Sequence, residues 1–391
     1  MSAGVRGRHA ASADRLPLAA LLALALAGFV TILTEALPAG LLHQIGQGLA
    51  VSESLAGQLV TVYATGSLVA AMPLMAATQR VRRRSLLLAA IAGFAIANSV
   101  TTVSTSYGVT LVARFLAGMS AGLLWALLAG CAARMVPEHQ KGRAIAIAMV
   151  GTPLALSLGV PAGTFLGNLV GWRLCFGIMS LLALLLLAWV RIKVPDYPGQ
   201  TGGKSLSLKR VWIMRGIRPV LLVVLTFVLA HNLLYTYIAP FLAAAGMAAR
   251  TDLVLLVFGV ASLVGIWVIG VLVDRHLRAL TLASICLFAL AAILLGVLGD
   301  APAAVYAAVV IWGLAFGGAA TLFQTALAQA AGEAADMAQS MLVTAWNMAI
   351  AGGGLLGGVL LDRFGAGAFP PALLALLLVT LGIVCAARRQ Q

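Results

Sequence analysis

The apolar residues of this chain fall neither at helical spacing nor in strict alternation. They run in long blocks separated by short polar breaks, the pattern of segments buried all round in a helical membrane protein rather than amphipathic surface helices or half-buried strands. A bilayer core needs about 20 apolar residues per helical crossing. The breaks define twelve such runs, at 16–43, 53–77, 84–103, 107–131, 141–169, 172–191, 218–245, 251–273, 279–298, 302–330, 336–361 and 369–387. Most connections are very short. The exception is the segment 192–218, which holds Pro195, Asp196, Pro198, Gly199, Gly202 and Gly203. It reads as a linker between two six-span halves. The expected organisation is a tail at 1–15, a first bundle at 16–191, a linker at 192–217, a second bundle at 218–387 and a tail at 388–391. The run that starts at Leu16 is too long for a signal-peptide core and reads as an uncleaved first span.

Composition agrees. Of 391 residues 62% are hydrophobic and only 9% are charged, against about 25% charged in a soluble domain. Too few charges remain to build a water-facing surface. The long apolar blocks also argue against an outer-membrane barrel, whose strands alternate. The net charge of +14 would suggest nucleic acid in a soluble protein. Here its distribution points elsewhere. With the N-terminus taken as inside, 21 of the 25 lysines and arginines fall in the tails, the linker and the loops on that same side. This bias places both termini and the linker in the cytoplasm, with no role for nucleic acid. The four cysteines lack metal-ligand spacing and read as small core residues.

The halves echo each other. Gly66 and Pro73 precede the basic turn Arg80 to Arg84; Gly265 and Gly270 precede Asp274-Arg275-His276-Leu277-Arg278. The fifth run of one half carries Gly151, Gly159, Pro161, Gly163 and Gly167, and that of the other carries Gly352, Gly353, Gly354, Gly357 and Gly358. Such glycines allow close helix approach in lipid. They are expected to serve as surfaces on which the halves rock.

These segments resemble the major facilitator superfamily over nearly the whole chain. The turn ending Gly270-x-x-x-Asp274-Arg275-x-x-Arg278 is similar to its signature turn. Leu111-Val112-Ala113-Arg114-Phe115-Leu116-Ala117-Gly118 is similar to its fourth-span arginine motif, and the stretch from Gly151 to Gly167 to its antiporter motif. Thr34-Glu35-Ala36-Leu37-Pro38-Ala39-Gly40, Gly57-Gln58-Leu59-Val60-Thr61-Val62-Tyr63-Ala64 and Tyr235-Thr236-Tyr237-Ile238-Ala239-Pro240 resemble the bacterial twelve-span drug:proton antiporter group, which includes sugar efflux permeases. The resemblance implies an all-α fold of two pseudo-symmetric six-helix bundles. It also implies a non-enzymatic, monomeric, proton-coupled exporter of drugs, sugars or nucleosides in a bacterial inner membrane, needing no cofactor beyond the proton. A facilitator or importer on the same fold is the alternative. The first-half turn departs from the signature, because no acidic residue lies between Glu53 and Glu138.

An ionisable residue inside a span is a functional candidate. Glu35 and Arg114 lie at similar depths in spans 1 and 4, so a contact between them is possible. Three readings stay open for Glu35: a static ion pair with Arg114, a proton switch, or a direct substrate contact. His231 is a second coupling candidate, or else a neutral histidine hydrogen-bonded in the bundle. Gln58, Tyr63, Trp125, Tyr235, Tyr237, Gln324 and Asn347 are candidate cavity residues, with packing the alternative for the tryptophan. Amides and aromatics suit a neutral or aromatic solute. Arg83, Arg84, Asp274, Arg275 and Arg278 are candidate gating residues, though a basic turn also sets topology and meets anionic lipid.

Overall fold

The computed structural model describes residues 16–78, 80–137, 140–199, 208–331 and 334–388. It is helical throughout, with no strand among the described residues. Twelve long helices run antiparallel in chain order. The first six are α1 (Leu18–Gly40), α2 (Glu53–Ala77), α3 (Arg83–Val103), α4 (Tyr107–Arg134), α5 (Arg143–Val170) and α6 (Trp172–Lys193). The second six are α7 (Ile217–Thr236), α8 (Ala248–Val273), α9 (Arg275–Leu298), α10 (Pro302–Ala331), α11 (Ala338–Phe364) and α12 (Ala366–Ala387). Each is long enough to cross a bilayer core. The even count brings the chain ends and the linker to one end of the bundle, here the linker end; the other is the far end.

Local chemistry sets the helix boundaries. Ser52 caps α2 by accepting from the Leu55 N–H at 3.2 Å, and Ser106 caps α4 through Val109, as short hydroxyl residues do at N-caps. Arg191 and Lys193 lie in the last turn of α6, where cations complement the helix dipole. The run 16–43 was expected as one span. Its helix instead stops at Gly40, and Leu42–Leu49 forms a separate short helix. Pro38 lies just before this break. Runs 8 and 9 meet with almost no loop, at a kink where His276 leaves helical geometry (φ −132°, ψ 27°).

Within the first half α2 packs on α4, and α3 on α4 and α6; in the second half α7 packs on α11 and α12. In the apolar windows of α9 and α12 only 33% and 28% of residues are buried within the protein, the lowest shares among these apolar spans, so they are the helices most open to the surroundings. The halves meet where α2 packs on α11, α5 on α8 and α1 on α7.

The two glycine rows do different jobs. Those of α5 face α1 inside the first half. A methyl group at Gly151 would overlap the Ala25 carbonyl oxygen, and Cβ atoms at Gly159, Gly163 and Gly167 would come within 2.8, 2.7 and 2.6 Å of Phe29, Leu37 and Leu41. They are therefore not the expected rocking surface between halves. Their spacing matches the side chains of α1, a neighbour in the same bundle. Across the halves α5 packs on α8 along residues 155–170, with Ser157 lying against Gly259 of α8. Ser157 falls in a π-helical turn, Ala155–Gly159, just before Pro161. In α11, by contrast, Gly354 and Gly358 face Thr61 and Gln58 of α2, across the halves.

Candidate functional site

Arg114 is 1% exposed. A buried guanidinium must find acceptors for its N–H groups. It donates to three backbone carbonyls: Thr34 through Nη1, Leu59 at 3.2 Å through Nε, and Glu35 at 3.3 Å through Nη2. Pro38 explains the first. It has no N–H to return to the carbonyl four residues earlier, so the Thr34 oxygen is left open in α1. Tyr63 and Phe176 lie against the guanidinium, with ring centroids 4.8 and 5.8 Å from it, a favourable cation–π arrangement. Asn98 donates to the Thr34 hydroxyl at 3.1 Å, which braces the same turn.

The contact expected between Glu35 and Arg114 is thus through the backbone. No described cation lies within 4.0 Å of the Glu35 carboxylate. A static ion pair is replaced by an arginine seated on carbonyls and a carboxylate without a bonded partner. Glu35 is half-buried. It lies on α1, which meets α7 of the second half.

Tyr63 was a candidate cavity residue. It is 0% exposed, and its hydroxyl donates to the Thr31 carbonyl at 3.0 Å. Covered by Arg114 on its face, it belongs to the arginine's seat and not to a cavity wall.

Gln58 and Tyr237 were also expected to line the cavity. They close the far end instead. The Tyr237 hydroxyl donates to the Gly354 carbonyl at 2.8 Å. The Gln58 amide donates to the Tyr237 oxygen at 3.1 Å and to the Gly354 carbonyl at 3.2 Å. Ser54 adds a bond to the Gly358 carbonyl at 3.2 Å. This clasp joins α2 to α7 and α11. Gly57 makes room for it, since any side chain there would overlap the Tyr237 ring. Ser54 and the two glycine carbonyls were missed by sequence reading. The available signal was the Gly354/Gly358 spacing, which puts two open backbone positions on one helix face.

His231 is 5% exposed. It stacks on Phe316 and is bordered by Tyr235, Phe258 and Trp312. Its Nδ1 has no hydrogen-bond partner, and neither do the Tyr235 hydroxyl, Trp312 Nε1 and Ser262 Oγ nearby. The expectation of a hydrogen-bonded histidine is corrected at that nitrogen: aromatic faces hold the ring. Asn347 is buried and spends its amide donor on Val343 of its own helix at 2.9 Å. Trp125 is half-buried and packs beside Gly28 of α1. Gln324 is exposed.

At the linker end, the first-half basic turn gains the acid its sequence lacks. Asp196, from beyond α6, accepts from Arg82 Nε at 2.5 Å and from the Arg84 N–H at 3.3 Å. Arg84 also reaches the Val194 carbonyl. Burial pushes the Asp196 carboxyl up, but the Arg82 and Arg84 bonds and charges outweigh it and hold it below the ordinary carboxylate range. Arg83 is 5% exposed, with its Nη1 unpartnered. Arg275 and Arg278 are exposed. The Asp274 side chain lies outside the described residues.

A family model described as Major Facilitator Superfamily matches residues 24–354. The chain belongs to this superfamily. A probable sugar efflux transporter of Mannheimia succiniciproducens is 30% identical over 352 residues, spanning 88% of this chain and 87% of that protein. The transcription regulatory protein OpdE of Pseudomonas aeruginosa is 31% identical over 368 residues, spanning 92% and 90%. Among solved structures, a D-xylose-proton symporter superposes with a TM-score of 0.77 at 17% identity, covering 94% of this chain and 97% of that one. The human organic anion transporter MFSD10 (TETRAN) gives 0.72 at 16%, covering 95% and 100%. This facilitator-superfamily protein is a multi-pass membrane transporter of small molecules and not an enzyme.

Proposed function

We infer that this transporter exports a small neutral organic solute, of the sugar or nucleoside kind, in exchange for protons. The charge bias of the loops supports a bacterial inner-membrane orientation with the linker end cytoplasmic. The far-end clasp then lies on the outer side. Alternating access breaks that clasp.

One observation carries the coupling assignment: the Glu35 carboxylate is unpaired beside an arginine whose bonds all go to backbone. Such a carboxylate takes up and releases a proton without breaking an ion pair, while Arg114 stays seated. Its place on α1, which meets α7, lets the motion of the halves change its surroundings, which is what links proton binding to conformation. The name of the Mannheimia relative supports export, and the unpartnered polar atoms of His231, Tyr235 and Trp312 suit a neutral polar solute.

The test is uptake into inside-out vesicles under an imposed pH gradient, with a labelled pentose, a nucleoside, chloramphenicol and a cationic dye. Gradient-driven accumulation of a neutral compound, lost in Glu35→Gln while binding persists, is the expected result. Equilibration that ignores the gradient would make the protein a facilitator. A Glu35→Gln protein that still concentrates its substrate would remove Glu35 from coupling.

A further inference from the structure

The two halves treat their basic turns differently at the linker end. In the first half Asp196 straps Arg82 and Arg84. In the second half no described carboxylate lies within 4.0 Å of Arg215, Arg218, Arg275 or Arg278. Arg275 and Arg278 instead line a cleft of about 730 Å³ between α7, α9, α10 and α12. Arg215 and Arg218 line an adjoining cleft of about 700 Å³ that shares Val220, Leu277 and Ala326 with it. The rim is therefore net positive: its four arginines outnumber Asp274, Glu333 and Asp336, the acids of the second half at this end, even with all three counted as charged. The floor is apolar, formed by Val220, Val223, Phe323 and Val384.

We propose that this double cleft holds an anionic phospholipid of the leaflet on the linker side. The arginines take the phosphate, as planar guanidinium groups do in two-pronged fashion. The apolar floor takes the upper part of an acyl chain. Position selects a lipid over a free anion. The cleft lies where α9 begins and α12 ends, and these two are the least buried of the apolar spans, so its mouth lies beside the helices most open to the bilayer. A free phosphate would leave that floor uncovered. The inference is independent of proton coupling and of transport direction.

The test uses the full-length protein in detergent, with lipid retention read by native mass spectrometry and unfolding followed by temperature. Dioleoylphosphatidylglycerol, dioleoylphosphatidylcholine and inorganic phosphate are the probes. Phosphatidylglycerol is expected to be retained at least about tenfold over phosphatidylcholine and to raise Tm, with phosphate doing neither. Each arginine near an anionic surface contributes about a fivefold factor, so Arg275→Gln with Arg278→Gln is expected to lower retention roughly 25-fold. Arg191→Gln with Lys193→Gln, at the same end of the first half, is expected to leave it unchanged. Ala326→Trp fills the floor and keeps every charge; it is expected to abolish retention even if the arginine variants fold poorly. Equal loss in the first-half control, equal protection by phosphate, or undiminished retention in Ala326→Trp would each overturn the proposal.

Discussion

The glycine rows of α5 and α11 occupy matching places in the two halves and have opposite consequences. In α5 the row seats α1, a partner in the same bundle, at four positions between Gly151 and Gly167. In α11 the carbonyls of Gly354 and Gly358 receive hydrogen bonds from α2 and α7, so the row forms part of a closure between bundles. Both rows allow close approach in lipid, where packing rather than hydrophobic transfer drives helix association. What differs is what the approach serves. A glycine against an apolar side chain makes a dry contact with no preferred alternative. A glycine whose carbonyl meets a hydroxyl or amide makes a contact that water or another donor replaces when it opens.

That comparison is open to direct attack, beginning with the largest effect. Gly151→Val drives a branched side chain into the Ala25 carbonyl, and overpacking of this kind costs on the order of 3 kcal/mol. Loss of monodisperse protein in size-exclusion chromatography is expected, with no conformer rescued by substrate. Gly358→Ala places a methyl group 2.6 Å from the Gln58 amide and 2.8 Å from the Tyr237 hydroxyl. The fold should survive, because those groups are the ends of side chains. The clasp should loosen by about 2 kcal/mol, roughly a thirtyfold shift toward the far-end-open state. Spin-label distances between Gln47 and Gly367, with the exposed Cys286 and Cys385 replaced, report that shift. An unchanged distance distribution would make the α11 row as static as that of α5.

Tyr237→Phe keeps the ring and removes the hydroxyl that bonds Gly354, for a smaller shift of about 1 kcal/mol in the same measurement. The smallest effect is at the other end. The Asp196 carboxyl is held below its ordinary value, so its strap contributes fully above the unfolded pKa of about 3.9 and is lost only as pH falls through the lower folded value. Thermal stability should show no Asp196-dependent change between pH 5 and 8. A difference between the wild-type and Asp196→Asn pH profiles should emerge only below about pH 4.

The twelve helices were legible because burial in lipid leaves no polar face to confuse the pattern. The break after Pro38 was hidden inside an apolar run that continues into Leu41 and Leu42. Glu35 and Arg114 were legible as charges where charge is costly. Their arrangement was not, because the acceptors for Arg114 are backbone carbonyls, which every residue carries and no letter distinguishes. Gln58 and Tyr237 were recognised as important, but their bonds across the halves were not. A polar side chain in a span looks the same whether it meets a solute or bonds the opposing half. Asp196 was passed over as a turn former, since its partners lie more than 100 positions away.

The seat of Arg114 has a genetic consequence. A partner made of main chain cannot be deleted by exchanging the residue that offers it, so scanning Thr34 or Leu59 with alanine should leave the arginine docked. Pro38 is the exception. Replacing it with alanine restores an N–H that competes for the Thr34 oxygen, so a screen for lost function should recover Pro38 ahead of the residues that touch the guanidinium.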